Sequence, residues 1–232
     1  MKLPAILFSA AVTLGTTSVT RGAVLLSQNF DTDPVNYTNS PFAFQASDPS
    51  RYFGLSNAGM VVNPGITGNA TVYLAAQNMD GDGDGTLFYS TGAPANVDFT
   101  LSAAGLSNLT LSIDAAGMPT AEVENYLRAF VDGDGDGFYE TPIFNFVGSN
   151  NSPYADATFG ALTSNFATFS NIPLPNPTAV DGMLRLRFEM FNDTQSQNEA
   201  LGLDNIVISG VPEPGSALLS LLGGVFLFRR RR

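Results

Sequence analysis

The side chains with the most evident chemistry stand in two tracts of one pattern, Asp80-Gly81-Asp82-Gly83-Asp84-Gly85 and Asp132-Gly133-Asp134-Gly135-Asp136-Gly137. Alternating carboxylates on a backbone that glycine frees for positive φ can bend several hard oxygen ligands around one cation, and calcium is the natural candidate. The same tracts also make tight, soluble hairpin turns, because Asp-Gly is a strong turn dipeptide. From sequence both readings stand for Asp80, Asp82 and Asp84 and for Asp132, Asp134 and Asp136. Neither tract completes an EF-hand. The second has the aspartates and glycine of the loop's first half, but its twelfth position, which should be a bidentate Glu, is Ile143, and in the first tract it is Thr91. Glu140 can extend the second set from the strand that follows, or be an ordinary solvated acid. Asp204, with Asn205, precedes an apolar run. It can supply an oxygen at the rim of a sandwich or hydrogen-bond the nearby backbone.

Composition narrows what else the chain can do. Among its 232 residues there is no Cys, His or Trp. That excludes disulfides, thiol nucleophiles, Ser-His-Asp triads and metal sites built on sulfur or imidazole. Between Val24 and Gly210 the basic side chains are Arg51, Arg128, Arg185 and Arg187, set against twenty acids, the chain's 21 less Glu213, for a balance of −16. Such a body repels nucleic acid and anionic lipid and attracts divalent cations. No G-x-S-x-G elbow, phosphate loop or dinucleotide motif is present.

A carboxylate glycosidase would need two acids about 5–5.5 Å or 6.5–9.5 Å apart. The glutamates available in the body are Glu122, Glu124, Glu140, Glu189 and Glu199, each with the bland reading of a solvated acid. A carbohydrate-binding module is the stronger alternative. Its sugar platform would have to come from Tyr37, Tyr52, Tyr73, Tyr89, Tyr126, Tyr139 or Tyr154, most of which lie in strand patterns where core packing is the ordinary role.

The elements that must position these groups read as strands. Met183–Phe191 alternates cleanly, with Leu184, Leu186, Phe188 and Met190 on one face and Arg185, Arg187 and Glu189 on the other. Shorter runs follow the same period at Val24–Phe30, Tyr52–Leu55, Thr71–Ala75, Leu87–Tyr89, Val97–Leu101, Leu109–Ile113, Tyr126–Val131, Ile143–Val147, Phe166–Phe169 and Ile206–Ile208. Gly, Pro, Asn and Asp clusters separate them. The expectation is an all-β chain with a single β-sandwich of jelly-roll type over 24–210.

The two ends differ from this body. Residues 1–23 have Lys2, an apolar stretch and a small-residue close, the layout of a secretory signal peptide, so the protein is expected to be exported. Residues 211–232 contain Pro212-Glu213-Pro214, an apolar run from Ala217 to Phe228, and Arg229, Arg230, Arg231 and Arg232. As a helix the twelve-residue run would span about 18 Å against a ~30 Å hydrocarbon core, a marginal and transient membrane hold. The arginines would stay on the cytoplasmic side. This tripartite tail resembles the PEP-CTERM sorting signal of exopolysaccharide-producing bacteria. The resemblance implies an exosortase-type processing enzyme acting near Pro212–Pro214, removal of the tail, and delivery to the cell surface or extracellular matrix, with extracellular polysaccharide as a possible partner.

The body in turn resembles secreted bacterial jelly-roll domains through LLSQNFD, VYLAAQNMDGDG, LTLSIDAA, YLRAFVDGDGDG and EALGLDNIVIS. That likeness implies an extracellular sandwich with structural calcium near the final strand, at Asp204, and carries no ligand onto Glu122 or Glu124. The expected function is that of a noncatalytic surface or matrix protein stiffened by calcium at its Asp-rich loops.

Overall fold

A computed structural model describes residues 22–31, 37–40, 44–45, 52–56, 66–68, 72–77, 94–178, 181–192 and 200–213. Residues 1–21 of the segment expected as a signal peptide, Asp80, Asp82 and Asp84, the strand expected at Leu87–Tyr89, Pro214 and the apolar run with Arg229–Arg232 lie outside the described residues, whereas Gly22 and Ala23, expected within that segment, are described, and Ala23 opens the first strand opposite Gly210. Strands are numbered in chain order. One antiparallel sheet contains β1 (Ala23–Gln28), β3 (Phe44–Gln45), β4 (Tyr52–Leu55), β5 (Leu74–Gln77), β7 (Leu106–Gly117), β12 (Ala167–Pro173) and β14 (Ala200–Pro212). The other contains β2 (Tyr37–Ser40), β6 (Ala95–Ser102), β8 (Tyr126–Asp132), β9 (Thr141–Val147), β10 (Ala155–Asp156), β11 (Gly160–Ala161) and β13 (Met183–Phe191).

With the order β5-β14-β7-β12 in the first sheet and β6-β13-β8-β9 in the second, the chain crosses between sheets at each step from β5 to β8 and again from β11 to β14, and stays in the second sheet from β8 to β11. This is the jelly roll that the strand pattern predicts. No helix among the described residues is long and apolar enough to cross a membrane.

The alternation in each strand is what closes the core. Leu184, Leu186, Phe188 and Met190 of β13 point inward beside Val97 and Phe99 of β6 and Leu127, Ala129 and Val131 of β8. They meet Leu109, Leu111 and Ile113 of β7 and Ile206 and Ile208 of β14. Phenylalanines interlock at tilted and edge-on angles: Phe99 to Phe188 at 6.0 Å, and Phe146 to Phe169 at 5.2 Å. These are the offset geometries that ring quadrupoles favour.

The first sheet carries a second, smaller apolar cluster on its outer side. There Ala75, Ala116 and Ala200 lie beneath Ile66 and Tyr73, with Met118 and Phe166 packed against them. Small residues are required at this place, since a Cβ on Gly202 would stand 2.6 Å from Phe166 Cζ. Burial on both faces explains why β5 and the first part of β14 are buried throughout instead of alternating.

Observed strands outrun the expected ones. The run expected at Ile206–Ile208 is a thirteen-residue strand, because Gly202 and Gly210, which interrupt the apolar pattern, are close-packing positions and not turns. The pairing continues past residue 210: Val211 lies opposite Ser107, Pro212 opposite Leu106, and the Glu213 N–H donates to Gly105 O at 2.9 Å. Pro212 and Glu213, expected in the tail, are thus stitched to the sandwich.

Candidate metal centre

β8 ends at Asp132, whose side chain is fully buried. Its Oδ1 accepts the Gly135 N–H at 2.6 Å and its Oδ2 the Gly137 N–H at 3.0 Å, so one carboxylate folds the following five residues around itself. The two donating glycines have φ of 81° and 93°, which side-chain-bearing residues rarely adopt. The pattern then repeats on a smaller scale. Asp134 Oδ1 accepts the Asp136 N–H at 3.2 Å, and Asp136 Oδ1 accepts the Phe138 N–H at 2.8 Å. From outside, Thr178 N–H and Oγ1 both donate to Gly133 O, at 3.0 and 2.7 Å, tying the loop to the segment that leads into β13.

The outcome is a convergence of oxygens. Asp132, Asp134, Asp136 and Glu140 each offer a carboxylate oxygen within 4.8 Å of the others, with Asp132 buried and the other three exposed. Backbone donors occupy only part of each aspartate's acceptor capacity. This set could hold a hard, oxygen-loving metal ion. Glu140 joins from the residues just before β9, whereas Ile143 is a half-buried strand residue packed against the core, as its failure to match the EF-hand pattern requires. Asp204 does not join this cluster. It sits on the first sheet, fully buried and opposite Asp114, at a bulge in β14. Its neighbour Asn205, with φ of 47°, donates from Nδ2 to Asp114 Oδ2 at 2.7 Å, and Thr168 Oγ1 donates to Asp114 Oδ1 at 2.5 Å.

Beside the acidic loop lies the outer face of the second sheet, which sequence alternation marked on β13 but did not assemble. Strand register places Arg185 between Asp132 and Thr100, Arg187 between Phe130 and Asp98, and Glu189 between Arg128 and Asn96. Arg187 forks onto Asp98 through Nε and Nη2 at 2.8 and 2.7 Å, a bidentate pair that holds the guanidinium pKa up. Arg128 Nε donates to Asn145 Oδ1 at 2.7 Å, and its guanidinium lies 3.7 Å above the Tyr126 ring, which stacks with Phe191. Tyr139 reaches back from the acidic loop so that Arg187 lies 4.1 Å over its ring. Burial raises the Tyr139 pKa, with Asp98 adding to the rise. Burial also raises the Glu189 pKa, against the pull of Arg187 and Arg128.

Three of the body's four arginines therefore share one face. The clue lay in reading β8 and β13 together, since Tyr126, Arg128 and Phe130 alternate outward just as Arg185, Arg187 and Glu189 do. Of the tyrosines expected in packing roles, Tyr73 and Tyr154 are buried, while Tyr126 and Tyr139 belong to this face.

No family model and no curated protein matches the chain. Among solved structures it is similar to the K3 cleaved adhesin domain of Lys-gingipain from Porphyromonas gingivalis. That likeness has 14% identity, covers 82% of this chain and 99% of that one, and has a TM-score of 0.45. The chain is also similar to the CBM22-1 xylan-binding domain of Paenibacillus barcinonensis Xyn10C, at 12% identity over 84% and 99% of the two chains with a TM-score of 0.42. A third likeness is to the Stig cyclase Fisc from Fischerella, at 11% identity over 83% and 100% with a TM-score of 0.46. At such identities and scores these likenesses assign no role to the chain.

Proposed function

We propose that this is a noncatalytic, exported protein of the cell surface or extracellular matrix, sorted through its PEP-CTERM-like tail and stiffened by calcium at its acidic loop. The observation that carries the reading is the convergence of Asp132, Asp134, Asp136 and Glu140 oxygens within 4.8 Å. Four carboxylates so close repel one another, and a divalent cation turns that repulsion into coordination. Calcium fits an all-oxygen donor set, and an exported protein meets it at high concentration.

The test is thermal. With free calcium about tenfold above its Kd, the ion adds about 1.4 kcal/mol of stability, a rise in Tm of about 3–6 °C that chelator reverses. The double variant Asp134→Asn/Asp136→Asn keeps side-chain oxygens for the loop's backbone donors and should lose the response. An unchanged Tm together with a silent calorimetric titration would leave the loop as a turn and nothing more.

A second reading, a calcium-dependent carbohydrate-binding module, is favoured by the outer face of the second sheet. Guanidinium and amide donors alternate there with carboxylate acceptors beside aromatic rings, a pattern suited to the paired donor and acceptor character of sugar hydroxyls. A glycan array with wild-type and Arg128→Ala protein separates this from the first reading. The glycosidase alternative rests on the glutamates, of which Glu140 joins the acidic loop, Glu189 lies between Arg128 and Asn96 in the second sheet, and Glu199 lies outside the described residues.

A further inference from the structure

The acidic loop and the point where the tail leaves the sandwich lie at the same end of the fold. β8 finishes at Asp132 opposite Arg185, near the start of β13, and Met183 at that start lies opposite Ser102, the last residue of β6. The turn from β6 to β7 begins there, with Ala103 N–H donating to Gly182 O at 3.0 Å. Its Gly105 O holds the Glu213 N–H, the last backbone link to the sandwich among the described residues. Only residues 214–216 separate that link from the apolar run Ala217–Phe228. Three extended residues reach about 10 Å.

The same end presents Phe138, which is 73% exposed and stands two residues beyond Asp136. The other large apolar side chains exposed among the described residues are Val24, in β1 opposite Ser209, and Val123 at 55%, which lies between the end of β7 and the start of β8, at the opposite end.

We propose that the end of the sandwich carrying Phe138 is its lipid-facing end, and that the Phe138 ring enters the membrane interface while the tail holds the protein there. The proposal rests on the reading of the tail as a membrane hold. A tether this short fixes which end approaches the bilayer, and an exposed aromatic ring at that end gains by leaving water for the interfacial region. The neighbouring carboxylates oppose approach to an anionic surface, and a divalent ion held among the four of them halves that charge.

The chain has no tryptophan, so single-tryptophan variants report each end without background. Full-length Phe138→Trp and Val123→Trp proteins are bound to phosphatidylcholine vesicles, separated by flotation, and read by emission wavelength and by quenching with brominated lipid. The expected result is a blue shift at position 138 with quenching about twofold or more above that at position 123. If the protein does not float with vesicles, the tail reading fails and the proposal with it. If it floats and the two positions respond alike, the tail reading stands and the orientation is overturned.

Discussion

The two sheets share a core but turn different surfaces outward. The first sheet's outer side is closed at one end by Ile66, Tyr73 and Phe166 over a floor of alanine and glycine, and further along it carries small hydroxyls such as Thr110 and Ser209, 3.1 Å apart. The second sheet's outer side carries guanidinium, carboxylate and amide groups paired across strands, and aromatic rings set among them. A face covered by its own chain is spent on stability. A face that pairs Arg187 with Asp98 across strands, and which the acidic loop borders, keeps polar groups in ordered positions at a water-facing surface. On the carbohydrate-binding reading, recognition would fall on the second sheet and its loop end.

The sharpest way to break this contrast is to truncate one aromatic ring on each side. Phe166→Ala uncovers Gly202 and the alanines beneath it and should cost about 2–3 kcal/mol, somewhat below a fully buried Phe because the ring is partly exposed. Tyr126→Ala removes a stacking partner of Phe191 and should cost about 0.5–1.5 kcal/mol. Urea midpoints of the two variants measure the difference. Equal losses would mean that the second face is closed as well.

The acidic loop offers a second contrast, within a single tract. Asp132→Ala strips acceptors from two backbone N–H groups next to a buried strand end and should cost about 1–2 kcal/mol even in chelator. Asp136→Ala removes one exposed acceptor, with an expected loss of about 0.5 kcal/mol in chelator, and should show its larger effect only when calcium is present. If Asp132→Ala matches Asp136→Ala in chelator, the buried carboxylate does not organise the turn.

Much of the fold was legible because it rests on period and punctuation. Met183–Phe191 reads correctly to the residue, since its apolar and charged positions alternate without a break. The strands that sequence truncated or missed fail that pattern for identifiable reasons. β14 is buried on both sides over Ala200–Asp204 and so shows no alternation, β2 and β11 are short edge strands, and β10 is a two-residue piece held between β9 and β11. The acidic tract was legible as a ligand set because its carboxylates are consecutive in sequence. The open face was not, because Asp98, Arg187 and Tyr139 come from separate parts of the chain and meet only through strand register.

That cross-strand pairing can be tested directly. Asp98→Ala and Arg187→Ala should each cost about 1 kcal/mol, more than a fully exposed pair because both side chains are roughly three-quarters buried. In a double-mutant cycle the losses should not add, and the coupling should shrink only modestly in high salt. Additive losses would show that the bidentate geometry contributes nothing and that the face is loosely held.

The smallest expected effect is on pH dependence, and it probes how enclosed the second face is. Burial lifts the Glu189 carboxyl above its ordinary 4.5, while Arg187 and Arg128 pull it down and Asp98 adds a lesser rise. Since the folded chain holds this proton more tightly than the unfolded one, the stability it contributes is fully present below the ordinary value and is lost as pH rises through the raised folded value. Asp181 acts in the opposite sense. Its pKa is lowered from 3.8 by the hydrogen bond from Arg185, so its contribution is present above 3.8 and is lost as pH falls through the depressed value. The two windows do not overlap. Acidification toward pH 4.5 should therefore favour the folded wild type through Glu189 before the loss at Asp181 begins. Glu189→Gln, neutral at every pH, should flatten the upper window and leave the lower one intact. Urea midpoints followed against pH distinguish the variants, and parallel curves above pH 4.5 would place Glu189 in water, on a face more open than the packing of Arg187, Arg128 and Tyr126 around it allows.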